Sequence, residues 1–555
     1  MGRHGARSER RRLTLARKCL SVCGVAPGDR RTGHRGTQVI DSTRAFAKLV
    51  AAFNQNDWPR VQQRTTQLLA LAPGDTRLLF MGGVAAMQVG SLGNALSLLK
   101  EATHLEPRRA DYLAQYAKAL ALARRTRDAR LVADRAMTLA PDDALTFDTL
   151  GAVYAQAQAL VQAASAFRRV TTLQPNRPLA HYNLARALIA LGDIDGAEHE
   201  LETCVRLAPD EWNAWLALAR VRTQTAAHNR IAALQGRLAA NVSEPAAQIL
   251  LNMALGKAFE DLADYPRAFD HYARGKAAAR RQRSYAFARD KAMFEAIVRA
   301  CPVGAVPADS QADGPSPIFL VGMPCSGIGL AGRILAAHPD LRSIGTLPHF
   351  PLQLQRAAGG QRPLLVEPDI ARRIAHIDWA HLGRDYLARV HAATGETTRH
   401  IDKLPSNLLY VGFIARALPH AKFIYLRRNA LDTCLDNFRH LFDLEPRWHD
   451  YSFDLLDTGR YLIETEQLLA HWQRCLPGRI LEIPYESLQT GSEAATRQLL
   501  AFCDLPWHPA CLTPRPAPQP DALSPPGHWR HYEAQLRDLR QLMAGHEGRQ
   551  PIAAA

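Results

Sequence analysis

Between Pro317 and Leu330 the chain reads PIFLVGMPCSGIGL, an apolar run that turns at glycines into a helical pattern. A buried strand, a Gly-rich turn and a helix N-terminus together make an anion site. The first helical turn has backbone N–H groups without intrahelical partners, and the helix dipole stands behind them. Gly327 and Gly329 let the backbone turn tightly and approach an anion closely. What such a loop does with a bound phosphate depends on its side chains, and these are sparse. Gly322 and Gly327 have Walker-loop spacing, but Ile328 and Gly329 stand where Lys and Ser/Thr belong, which argues against nucleoside triphosphate hydrolysis. A cysteine phosphatase needs an Arg six positions after its nucleophile, and six positions after Cys325 stands Ala331. A helix N-terminus lowers a thiol pKa, yet no His or carboxylate partner for Cys325 is evident, so a bystander thiol is the favoured reading. A plain strand–turn–helix without a ligand is the alternative reading of the segment.

The elements that position this loop follow from the surrounding pattern. Residues 301–316 (CPVGAVPADSQADGPS) are rich in Pro, Gly, Ala, Ser and Asp and mark a boundary. Beyond it the apolar runs IFLVGM, KFIYLR and RILEIP alternate with helical stretches, which predicts a parallel sheet with crossover helices.

Upstream, the pattern is periodic. LAPGD, LEPRR, LAPDD, LQPNR and LAPDE carry Pro73, Pro107, Pro141, Pro175 and Pro209, one every 34 residues. A fixed period of that length signals stacked helix pairs. In the unit ending at Pro175, Phe147, Leu150, Gly151, Tyr154, Ala163 and Phe167 fall at the large and small positions of a tetratricopeptide repeat. Ala95, Ala129, Ala163 and Ala197 recur at one offset. A methyl there lets two helices close to roughly 8–10 Å, and proline then ends the second helix. A weaker unit follows Pro209, and another spans about 249–280, with Ala268 and Tyr272 in the expected places. Residues 41–280 thus resemble about seven tetratricopeptide repeats, an array that presents a concave groove to a protein or peptide segment. Packing on a neighbouring domain, or dimerisation, is the other use of such an array.

The totals agree with several domains: 555 residues, 47% apolar and 22% charged. A formal charge of +15 favours anionic partners. The charge is not concentrated on an aromatic-bearing module, so nucleic-acid binding is disfavoured. The Arg-crowded opening, residues 1–36, lacks a sustained apolar region and reads as disordered, or as lying upstream of the true start codon, rather than as a secretory signal. No apolar run is long enough for a membrane span. Nine scattered cysteines, without zinc spacing, suit a reducing compartment and no metal site; the expectation is a cytoplasmic protein.

The stretch PIFLVGMPCSGIGLAGRILAAHPDL resembles the opening of the tetratricopeptide-linked sulfotransferases, which use P-R-S-G-T-T-L here to hold the 5′-phosphosulfate end of 3′-phosphoadenosine 5′-phosphosulfate. Pro324, Ser326, Gly327 and Leu330 match that motif, while Cys325, Ile328 and Gly329 replace Arg, Thr and Thr. DKLPSNLLYVGFIARALPHAKFIYLRRNALDTCLDNFRHLF (402–442) resembles the family's core. The resemblance implies that Arg428 holds a 3′-phosphate, with the partner Ser eight residues on replaced by Asp436, a carboxylate that repels phosphate unless it turns away. YLIETEQLLAHWQRCLPGRILEIPYESL, LLAFCDLPWHPACL and HWRHYEAQLRDL resemble later family segments; PRPAPQPDALSPPG (514–527) stands where the family has a basic closing loop. The family's Glu base is replaced by Thr346, leaving His349 as a candidate base. Lys403 is a candidate cation for the transferring group, while Arg333, one turn into the helix, is expected to face solvent.

The expected organisation is a basic segment (1–40), the repeat array (41–280), a helical connection and linker (281–314), an α/β P-loop-like sulfotransferase domain (315–545) and a tail (546–555). The expected function is sulfuryl transfer from 3′-phosphoadenosine 5′-phosphosulfate to a hydroxyl or amine of an acceptor, a protein recruited by the repeats being one candidate. The alternative is a catalytically impaired relative whose array is a protein-binding scaffold.

Overall fold

The computed structural model describes residues 35–306, 317–345, 348–359, 370–394, 399–444, 447–514 and 523–547. The chain forms two compact units, one ending at Leu207 and one beginning at Ala208.

The first unit is a succession of antiparallel helices: α1 (Arg35–Asn54), α2 (Trp58–Leu69), α3 (Thr76–Gln88), α4 (Leu92–Leu105), α5 (Ala110–Leu122), α6 (Thr126–Thr138), α7 (Ala144–Gln156), α8 (Leu160–Leu173), α9 (Pro178–Leu191) and α10 (Ile194–Leu207). Each spaced proline follows an even-numbered helix, as a residue without an amide donor should. Ala95, Ala129, Ala163 and Ala197 are all fully buried. The helices are close enough that a Cβ on Gly83 would meet Leu99 at 2.6 Å, and one on Gly151 would meet Phe167 at 2.6 Å. The turns inside the pairs also repeat: Asn56, Gly90, Arg124, Gln158 and Gly192, again 34 apart, all have positive φ.

The second unit opens with α11 (Trp212–Arg220), α12 (Ile231–Ala240), α13 (Pro245–Asp261), α14 (Tyr265–Arg280) and α15 (Phe287–Ala300). The hairpin α13–α14 is packed like a repeat, with Ala268 and Tyr272 buried and Gly256 under the Tyr272 ring. A five-stranded sheet follows, of order β2-β3-β1-β4-β5 with every neighbouring pair parallel. Its strands are β1 (Ile318–Val321), β2 (Leu341–Ser343), β3 (Arg399–Asp402), β4 (Lys422–Arg427) and β5 (Ile480–Pro484). Their helices are α16 (Ile328–Ala336), α17 (His349–Ala357), α18 (Ile370–Arg373), α19 (Trp379–Thr394), α20 (Val411–Ala417), α21 (Ala430–Arg439), α22 (Leu455–Cys475), α23 (Tyr485–Gln489), α24 (Glu493–Phe502) and α25 (Arg537–Glu547). Both sheet faces are covered, as parallel sheets require: Phe319 and Val321 enter one core, Ile318 and Leu320 the other.

The hairpin α13–α14 and the sheet region share a polar, buried seam. Lys276 of α14, fully buried, donates to the carbonyls of Asn437 (3.2 Å) and His440 (2.6 Å) and to Ser452 Oγ (3.3 Å), so an ammonium closes the C-terminal end of α21. Burial pulls its pKa down to about 7. Arg280 pairs with Asp454 and Asp457, and Arg283 with Asp450.

Candidate functional site

In an open parallel sheet, ligands gather beyond the strand C-termini where the strand order reverses. Here that point lies at β1, which has β3 on one side and β4 on the other. The loop 322–327 leaves β1 there, and Arg428 follows the end of β4.

The loop has the architecture of an anion cradle. Gly327 takes φ +99° and caps α16, and Cys325 takes φ +62°, a conformation a side chain adopts only at a cost. The Tyr485 ring lies so close to Gly327 that a Cβ there would collide with it. Outside contacts hold the loop: the Gly322 N–H donates to the Pro405 carbonyl (3.3 Å) and Asn437 Nδ2 to the Pro324 carbonyl (2.7 Å). Ser326 is 3% exposed, and its Oγ is buried without a hydrogen-bond partner. An orphaned buried hydroxyl is unfavourable by about 1–3 kcal/mol, so it marks a place where a polar group fits. Ile328, by contrast, turns into the core with Ile334 and Leu335, and Leu330 packs beside it. Burial, reinforced by the Asp436 carboxylate, pushes the Cys325 thiol up to about 12, so it is not a thiolate at neutral pH.

Arg333 corrects an expectation. It does not face solvent: it is half-buried, its Nη1 lies 3.4 Å from where a Gly329 Cβ would be, and its buried Nε has no partner. Helical side chains point toward the N-terminus, so a cation one turn in reaches back along the first turn over a residue with no side chain. Lys403, which directly follows β3, packs against another part of the same helix, its Cδ 3.3 Å from a Gly332 Cβ position. The helix that follows the loop therefore has two cations packed along it, Arg333 back over its first turn and the stem of Lys403 against Gly332.

The second cluster centres on Arg428, whose side chain is fully buried. Its Nη1 donates to the Cys325 carbonyl (2.9 Å) and to Asp436 Oδ2 (2.7 Å); its Nη2 donates to the Ser524 carbonyl (2.9 Å) and Oγ (3.0 Å). Asp436 does not turn away but pairs with Arg428. It also accepts from Ser524 N (3.1 Å), Ser524 Oγ (2.9 Å) and Arg439 Nη1 (2.5 Å). Burial opposes its charge, but Arg439 and Arg428 outweigh burial and hold its carboxyl below the usual range. Arg439 continues to Glu260 of α13 (Nη2, 2.7 Å), which also contacts His528 Nε2 (2.6 Å) and the Tyr272 hydroxyl (2.7 Å). Charges thus alternate from the hairpin to the loop.

His349 begins α17 and is buried; Thr346 lies outside the described residues. A narrow cavity beside Gly322, Met323 and Pro324 is walled by Pro351, Trp448, His449 and Tyr451. Burial lowers His449 to about 4, so it is neutral at pH 7. Among the described residues no three His, Cys, Asp or Glu side chains are grouped to hold a metal ion.

Residues 317–509 match the family model described as the sulfotransferase family, and residues 154–238 match that of the tetratricopeptide repeat. The sheet region is a sulfotransferase-family domain. An uncharacterized protein of Aquifex aeolicus (strain VF5) is 27% identical over 378 residues, 65% of this chain and 49% of that protein. Protein-tyrosine sulfotransferase 1 of Danio rerio is 28% identical over 203 residues, 35% of this chain and 55% of that protein. The chain spans about half the length of these curated relatives. Among solved structures, the tetratricopeptide protein YrrB is 16% identical and covers 37% of this chain and 96% of its own, with a TM-score of 0.27. MamA is 18% identical and covers 30% and 96%, with a TM-score of 0.26. No helix among the described residues is long and apolar enough to cross a membrane.

Proposed function

We propose that the sulfotransferase domain moves a sulfuryl group from a nucleotide phosphosulfate, of the type of 3′-phosphoadenosine 5′-phosphosulfate, to a hydroxyl or amine of an acceptor. The observation that carries this reading is the orphaned Ser326 hydroxyl buried in the Gly-rich loop at the start of α16. In the transfer, the acceptor oxygen or nitrogen bonds to sulfur as the bond from sulfur to the phosphate oxygen breaks, and the nucleotide leaves with the electron pair. No covalent enzyme intermediate is needed, so placement and charge stabilisation supply the rate. Backbone N–H groups of 322–329, Ser326 and Arg333 would hold the transferring group and the leaving phosphate. Lys403 would add charge from the side, and His349 would take the acceptor proton. The repeats would recruit the acceptor, and the name of the Danio rerio relative makes a tyrosine hydroxyl the first acceptor to test.

Engagement of both Nη groups of Arg428 within the chain, Asp436 and Ser524 among their partners, favours a second reading, in which the domain does no chemistry and the array is a protein-binding scaffold. Incubation with a sulfur-35-labelled nucleotide phosphosulfate and tyrosine-bearing peptides separates the two. Label transfer that Ser326→Ala and Arg333→Ala each reduce at least tenfold supports the enzyme. A folded protein that neither binds the nucleotide nor transfers label leaves the scaffold.

A further inference from the structure

The Arg428 cluster carries a consequence for the donor, and it rests on the sulfotransferase reading above together with the family resemblance, which implies that Arg428 lies at the ribose 3′-phosphate. Four Nη contacts of this guanidinium are made inside the protein, to Cys325, Asp436 and both oxygens of Ser524. The carboxylate that balances it is itself buried and accepts from two arginines and from the backbone and hydroxyl of Ser524. The segment bearing Ser524 is pinned again a few residues on, where the N–H groups of Gly527 (2.7 Å) and Trp529 (2.9 Å) donate to Asp432. Both Nη groups of Arg428 are therefore engaged within the chain, Nη1 by an anion of the chain, which leaves the buried Nε as its one donor without a partner.

The neighbouring groove, about 620 Å³, repeats this bias. Arg427, Arg428 and Arg530 line it, but so do Asp432, Glu466 and Glu486. Arg427 is held by Glu466 and Glu482, and Glu486 accepts from the Asn429 N–H (3.0 Å). A phosphate dianion on Arg428 would meet the buried Asp436 carboxylate, 2.7 Å from its Nη1, and a guanidinium whose Nη donors are all engaged and whose buried Nε alone lacks a partner. Like charges in a low-dielectric site repel strongly. A hydroxyl meets no such opposition, because it donates to a carboxylate; dinucleotide sites use an acidic residue in this way to select ribose hydroxyl over ribose phosphate.

We propose that Asp436, with Ser524, is the specificity-determining pair that makes this domain accept a nucleoside 5′-phosphosulfate with a free 3′-hydroxyl in preference to its 3′-phosphorylated form.

Calorimetric titration of the full chain with the two leaving nucleotides, adenosine 5′-monophosphate and adenosine 3′,5′-bisphosphate, tests this. The wild type is expected to bind the 5′-monophosphate at least tenfold more tightly. Asp436→Ser is expected to reverse the order, and Asp436→Asn, which keeps the shape and removes the charge, to bring the two affinities within about threefold. Tighter binding of the bisphosphate by the wild type would overturn the proposal and leave the sulfotransferase reading standing. Binding of neither nucleotide by folded protein would overturn both.

Discussion

Replacing Glu260 by Gln tests whether the hairpin α13–α14 is part of the sulfotransferase domain's own stability. The carboxylate sits between Arg439, His528 and Tyr272, and Arg439 passes the charge on to Asp436. Glutamine keeps the size but leaves the buried Arg439 facing one carboxylate instead of two. Breaking a buried pair from one side costs about 3–5 kcal/mol. The lowered pKa of the carboxyl gives a second route to the magnitude. Burial opposes the charge, yet Arg439 and the hydrogen bonds from His528 and Tyr272 bring the pKa from 4.5 down to about 2. That shift corresponds to about 3 kcal/mol of folding stability. Because the folded pKa is depressed, the contribution is fully present above pH 4.5 and disappears as pH falls through 2. Urea unfolding of wild type and Glu260→Gln, followed by circular dichroism and tryptophan fluorescence, should differ by about 3 kcal/mol at pH 7 and converge toward pH 2. A difference below 1 kcal/mol at pH 7, or one that does not shrink in acid, would show that the alternating charges do not hold the hairpin.

Three further outcomes follow from the site. Arg333→Ala should weaken nucleotide binding by about 10- to 100-fold, the worth of one or two charge-assisted hydrogen bonds, with the urea midpoint nearly unchanged; an unaltered affinity in titration would return Arg333 to the solvent. With its pKa near 12, Cys325 should react with iodoacetamide at pH 8 about a thousandfold more slowly than an ordinary thiol of pKa 9, read by mass spectrometry of the loop peptide. Asp402 behaves oppositely to Glu260: burial raises it from 3.8 to about 7 against hydrogen bonds from Tyr386, Leu404 and Asn407. Its stabilising contribution is whole below pH 3.8 and is lost as pH rises through 7, so Asp402→Asn should remove that decline in denaturation midpoints measured from pH 4 to 8.

The repeats were readable because a helix pair fixes both a period and a pattern of sizes, and the alanines at the crossings are buried as the period requires. Strands β1, β4 and β5 were readable as apolar runs. β2 (LRS) and β3 (RHID) were not, since three or four residues with charges carry no periodic signal. The polarity of β3 is satisfied by partners outside the strand, such as Tyr386 and Asn407 for Asp402. At the loop, the replacements at 325, 328 and 329 were legible as losses. The compensation was not, although glycine four residues before Arg333 is the signal that a cation could lie back over the first turn. Asp436 read as a repulsive residue because the sequence names the charge and not its neighbours. Ser524 lies nearly a hundred residues from Arg428, in a Pro-rich stretch that seemed to have replaced a functional loop, and only folding brings it there.

Lys276 and Glu260 also say something about ancestry. A helix hairpin whose ammonium seals another helix and whose carboxylate steadies the arginine ladder cannot be exchanged freely between proteins. Recombination that joins a new array to this domain would be tolerated upstream, near the division at Ala208, where whole helix pairs end. A crossover in the residue 301–316 connector, the more obvious seam by composition, would discard Lys276 and strand the C-terminal carbonyls of α21 in an apolar setting. The last hairpin is packed like a repeat, but its charges bind it to the sheet region rather than to the array.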